Sequence, residues 1–108
     1  MRFLMTLNGG APQADDQLYA DMGEFVEELT KAGVLLATGG LAMEGTHITA
    51  SGGRATFTDG PYTESKETIV SFALIDVGSK EEAIELSRRF WALVKDGEGD
   101  LRQVYGPE

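Results

Sequence analysis

The sequence predicts a ferredoxin-like α+β sandwich, with two helices on one face of a mainly antiparallel sheet. Three observations lead there. Short apolar runs and two long amphipathic stretches follow one another in the order strand–helix–strand, hairpin, strand–helix–strand. A Gly52-Gly53 pair separates two alternating runs, as a two-residue hairpin turn requires. Each amphipathic stretch also opens on its own capping residue.

Arg2–Asn8 alternates Phe3, Met5 and Leu7 against Leu4 and Thr6, which predicts a strand ended by Asn8-Gly9-Gly10-Ala11-Pro12. From Asp15 to Ala32, Leu18, Met22, Phe25, Val26 and Leu29 recur at helical spacing, opposite Glu24, Glu27, Glu28 and Lys31. Asp15 or Asp16 is the expected N-cap, and Gly33 the terminator. Val34–Ala37 is a short buried strand running into Gly39-Gly40-Leu41. The hairpin spans His47–Ala50 and Arg54–Thr58. A two-residue turn pairs Ala50 with Ala55 and Ile48 with Phe57 on one face. His47 then lies opposite Thr58 on the other face, beside Asp59.

Thr68–Val77 is apolar on both faces and predicts a central strand. Ser79-Lys80-Glu81-Glu82 is a capping box that opens a helix through Val94, with Glu85 paired to Arg89 one turn on. Phe90, Trp91 and Leu93 read as helix packing or dimer contact. Asp96–Gly99 is an expected loop and Leu101–Tyr105 the closing strand.

At 108 residues the chain is one domain, long enough to bury roughly two-thirds of its unfolded surface. Its 18 acidic and 9 basic residues give a net charge of −9, which repels phosphate backbones and argues against nucleic-acid binding. No apolar run spans a membrane, the N-terminus lacks a signal-peptide layout, and there is no cysteine, so a cytoplasmic protein is expected. Several strands are apolar on both faces while both helices cover only one. A homodimer packed sheet to sheet is therefore expected.

The run Thr58-Asp59-Gly60-Pro61-Tyr62-Thr63-Glu64-Ser65-Lys66-Glu67 sets four ionisable side chains, Asp59, Glu64, Lys66 and Glu67, around a Gly-Pro corner expected to end the hairpin. This run resembles the defining motif of the DGPF proteins, a branch of the YCII-related family. Glu27-Glu28-Leu29 with Ala32-Gly33-Val34-Leu35, Gly40-Leu41, Ser79-Lys80-Glu81-Glu82-Ala83 and Leu101-Arg102-Gln103-Val104-Tyr105 extend the resemblance over nearly the whole chain. It implies a dimeric α+β barrel. It also implies either an accessory role beside extracytoplasmic-function sigma factors, or a relationship to small enzymes acting on muconolactone-type and quinone-type molecules. Tyr62 replaces the motif's usual phenylalanine. The histidine of the family's first helix is missing from Asp15–Ala32, so its acid–base role does not transfer.

The residues leave two functions open. One is a small-molecule-binding protein, extending to a proton-transfer enzyme (isomerase- or lyase-like) on an anionic or carbonyl metabolite. Its ligand-binding candidates are Arg54, Asp59, Tyr62, Glu64, Lys66 and Glu67. His47 and Asp59 form the pair suited to proton transfer near neutral pH. The other is a non-catalytic accessory or interaction module, such as the partner of a transcription factor. Ordinary roles compete at every position: a turn-capping Asp59, a hairpin His47 and Arg54, and a solvated cluster at 64–67 worth about 0–1 kcal/mol per pair. No redox-cofactor motif, nucleotide loop or metal-ligand spacing is present, so no cofactor or metal is expected.

Overall fold

Alternation in β1 (Arg2–Asn8) sends Phe3, Met5 and Leu7 to one side of the sheet, where all three are buried. In the computed structural model, which describes residues 1–9, 15–62 and 68–106, β1 is central. It pairs antiparallel with β5 (Ile69–Asp76) and β6 (Glu98–Val104), and β2 (Leu35–Gly40) adds to the far side of β5. The order β2-β5-β1-β6 is that of the ferredoxin-like fold.

Helix α1 (Asp16–Lys31) starts where the Asp15 carboxylate accepts from the Leu18 amide at 2.8 Å, and ends at Gly33 with φ +74°. In α2 (Lys80–Val94), Ser79 Oγ accepts from the Glu82 amide at 3.1 Å. The Glu82 carboxylate in turn accepts from the Gly78 amide at 2.9 Å, one residue beyond the expected reciprocal bond. Such caps stabilise by about 1 kcal/mol each. Both helices lie on the Phe3/Met5/Ile75 face, where Ile75 is fully buried, with Val77, Ala83, Leu86 and Phe90 around it. The opposite face carries Leu4, Phe72 and Leu74, half-buried and without a helix over them.

Three local expectations are corrected. Arg89 does not pair with Glu85. It reaches Glu28 on α1 in a bidentate bond of 2.6 and 2.8 Å, over the Phe25 ring, while Glu85 takes Arg88. The fork geometry of guanidinium and carboxylate favours this contact between the helices over a single-helix pair. Strand β6 begins at Glu98, because Glu98, Gly99 and Asp100 pair with Asn8, Leu7 and Thr6 in spite of weak strand propensity. The hairpin is also longer than its apolar pattern, running β3 (Glu44–Ser51) to β4 (Arg54–Pro61).

The hairpin register is the expected one: Ala50 faces Ala55, Ile48 faces Phe57 and His47 faces Thr58. Gly52 and Gly53 take φ +57° and +82°, as a type I′ turn requires. Every residue of β3 and β4 is exposed except Gly45, so the hairpin stands off as an arm. The radius of gyration, 15.8 Å, exceeds the roughly 13 Å of a compact chain this long.

Candidate functional site

A stripe of α2 at helical spacing, Ile84, Ser87, Arg88 and Trp91, hangs over the sheet where β1 ends and β5 and β6 begin. Between them lies a cleft of about 410 Å³, walled by Leu7, Ala73, Leu101, Phe90 and Trp91. That volume falls within the range of small-molecule sites. Two glycines shape it. A Cβ on Gly99 would strike the Thr6 carbonyl and come within 2.8 Å of the Trp91 ring, and one on Gly97 would come within 3.1 Å. The bare backbone lets the indole lie close to β6, with Phe90 set edge-on to it at 5.3 Å.

The polar groups of the cleft are few. Thr38 Oγ1 donates to the Phe72 carbonyl at 2.8 Å and Ser87 Oγ to the Ala83 carbonyl at 2.9 Å, which leaves both oxygens able to accept from a ligand. Ser71 adds a third hydroxyl. Arg88 stands at the rim, held by Glu85 at 3.2 Å with both side chains largely in solvent. Such a pair is weak enough for a carboxylate ligand to displace. Asp100 is at the cleft's sheet edge but points to the face opposite α2, where its carboxylate accepts from the Asn8 side-chain amide at 2.8 Å; Asn8 Oδ1 is buried with no partner among the described residues.

The hairpin candidates stand elsewhere. His47 pairs with Thr58, while Asp59 pairs with Thr46 and accepts its hydroxyl at 2.6 Å. Side chains alternate along a strand, so His47 and Asp59 lie on opposite faces of the arm, and the expected adjacency is not formed. Arg54 is at the arm tip, opposite Ser51. Asp59-Gly60-Pro61 is not a corner. It continues β4, with Gly60 facing Gly45 and Pro61 at the strand end, where a missing ladder N–H costs least. Tyr62 packs its ring over Gly45, where a Cβ would sit 2.7 Å from it, and its hydroxyl points to the Thr46 carbonyl at 3.4 Å. It also borders a hollow at the arm root with Leu41, Glu44 and Ile69. Glu64, Lys66 and Glu67 lie outside the described residues.

Sequence reasoning did not assemble the cleft. From sequence alone Trp91 and Phe90 read as helix packing or dimer contact, and the pointer to their place in the cleft is the Gly97-x-Gly99 spacing opposite an aromatic helix face. The titration of one pair is displaced, away from the cleft: the Arg89 hydrogen bond holds Glu28 below the ordinary carboxylate value, and Glu28 raises Arg89. Among the described residues, no three His, Asp or Glu side chains form a metal-binding group, and no helix is long and apolar enough to cross a membrane.

The family model for the YCII-related domain matches residues 1–105, and the chain belongs to that family. No curated protein matches the chain.

Proposed function

We propose that this YCII-related protein binds a small, flat, largely apolar molecule bearing a carbonyl or carboxylate, in the cleft between α2 and the sheet. The observation that carries the reading is the cleft's composition: Trp91 and Phe90 for an aromatic or conjugated body, and Arg88 at the rim for its anionic or polar end. Proton-transfer catalysis on the same molecule would need a base within about 3 Å of the bound carbon acid; Asp100, the carboxylate at the cleft edge, faces the other side of the sheet, so the reading is one of binding. The reading includes a homodimer, in which a second copy covers the open face of Leu4, Phe72 and Leu74. An uncovered apolar sheet face supports this, since water is a poor partner for it.

Thermal unfolding against a panel of aromatic carboxylates and quinones tests the binding reading. A ligand at a hundredfold excess over its Kd adds about 2.7 kcal/mol, a shift of several degrees. Ser87→Phe, which fills the helix wall of the cleft, should remove that shift. A panel without effect at millimolar concentration would sink the reading.

A second reading, an accessory module for a basic partner such as a transcription factor, draws on α1, whose Asp16, Glu24 and Glu27 are exposed. It predicts association that weakens as salt rises.

A further inference from the structure

A two-stranded hairpin is at best marginally stable alone in water. This one is eight residues per strand, and its apolar face is open: Ile48 is 55% exposed and Phe57 65%, with Ala50 and Ala55 beside them. An exposed Ile–Phe pair at the middle of a solvated ribbon is a surface awaiting cover.

We propose that the arm is a dimer clasp: each copy lays its Ile48/Phe57 face on the other copy of this chain. The inference rests on the dimer reading above and assigns it a second contact besides the open sheet face. Area supports it. As flat projections, four short strands present roughly 460 Å² and the arm roughly 270 Å². A stable interface takes about 800 Å² from each partner. The arm enlarges the sheet contact by more than half and brings the sum close to that requirement.

Charge points to a second copy as the occupant. Two chains of net charge −9 repel one another unless they meet on balanced surfaces. The open sheet face is nearly balanced, with Arg2 and Arg102 against Asp76, Glu98 and Asp100. On the arm, Arg54 lies on the other face; the Ile48/Phe57 face carries Glu44 and Asp59 at its root, with Asp59 already bonded to Thr46, and is uncharged across Ile48, Ala50, Ala55 and Phe57. The excess acid lies on α1, where Asp16, Asp21, Glu24, Glu27 and Glu28 face a single Lys31. The open sheet face and the uncharged outer half of the arm face are thus where copies can meet away from the α1 carboxylates.

Sedimentation of the full chain across a concentration series, with Phe57→Asp, Ile48→Asp and Thr56→Asp, tests the clasp. Phe57 and Ile48 are exposed in the single copy, so circular dichroism of their variants should match the parent. The parent should dimerise, and Phe57→Asp and Ile48→Asp should weaken the dimer at least about tenfold. Thr56→Asp, on the other face of the arm, should leave it unchanged. A dimer of undiminished affinity in the Phe57 and Ile48 variants would overturn the clasp and leave the sheet-face dimer standing. Equal weakening by Thr56→Asp would overturn the assigned face and with it the proposal. A parent that stays monomeric at high concentration would overturn clasp and dimer together. Should an aspartate variant fail to fold, Phe57→Cys serves instead: in a chain without cysteine, a thiol cross-linker should capture a covalent dimer, and no capture counts against the clasp.

Discussion

Replacing Gly99 by alanine tests the architecture of the cleft at its tightest point. The added methyl would meet the carbonyl oxygen of Thr6, on the neighbouring strand, and the Trp91 ring at 2.8 Å. Indole can shift, but a carbonyl fixed in the β1–β6 ladder cannot move without disturbing the pairing of Leu7 with Gly99. Overpacking of this kind costs about 1–3 kcal/mol. Against it stands a gain of about 0.4–1 kcal/mol, because alanine restricts the unfolded chain more than glycine does. Gly99 is not at positive φ, so no backbone strain adds to the cost. The steric cost wins, for a net loss of about 1–2 kcal/mol, or roughly 5–15 °C in Tm. The chain's single tryptophan lines the cleft, so the same substitution should alter its emission and near-UV circular dichroism. Thermal melts read with both probes measure the two effects on one sample. An unchanged Tm together with an unchanged tryptophan spectrum would refute the packing argument.

Two further outcomes follow from the core and the helix pair. Ile75→Ala removes a side chain with no solvent exposure and should cost about 2–5 kcal/mol in urea unfolding, with an unchanged m-value. Glu28 is held below its ordinary pKa of 4.5 by the Arg89 hydrogen bond, so its contribution is present above that value and is lost as pH falls through the folded-state pKa. The Tm difference between the parent and Glu28→Gln should accordingly shrink on acidification below about pH 4.5, and a difference independent of pH would contradict the assigned pair.

Much of this fold is legible in the sequence because its signals are local. Asp15 and Ser79 mark both helix starts, and Gly52-Gly53 sets the hairpin register over eight paired positions. The alternation of Phe3, Met5 and Leu7 identifies the buried side of β1. What sequence reasoning misses depends on contacts distant in the chain. Arg89 has an acceptable partner four residues away, and only the packing of α2 on α1 brings Glu28 into better geometry. Asp59 is next to Thr58 in sequence, yet a single step along a strand crosses to the opposite face, away from His47. The same polar run reads as a corner because Gly-Pro favours turns, whereas pairing with Glu44 and Gly45 draws it into β4. The cleft has no sequence motif of its own. It arises where Gly99 falls opposite Leu7 and under Trp91, a coincidence of sheet register and helix rotation.

The proposed function places a small conjugated molecule with an anionic or carbonyl end in the cleft beneath Trp91. A fluorescence titration of the lone tryptophan with 2-naphthoate and 1,4-naphthoquinone tests it most directly, run on the parent and on Ser87→Phe. Saturable quenching is expected in the parent with at least one probe, and its loss in the variant. Quenching that is linear in probe concentration, or the same in both proteins, would contradict it.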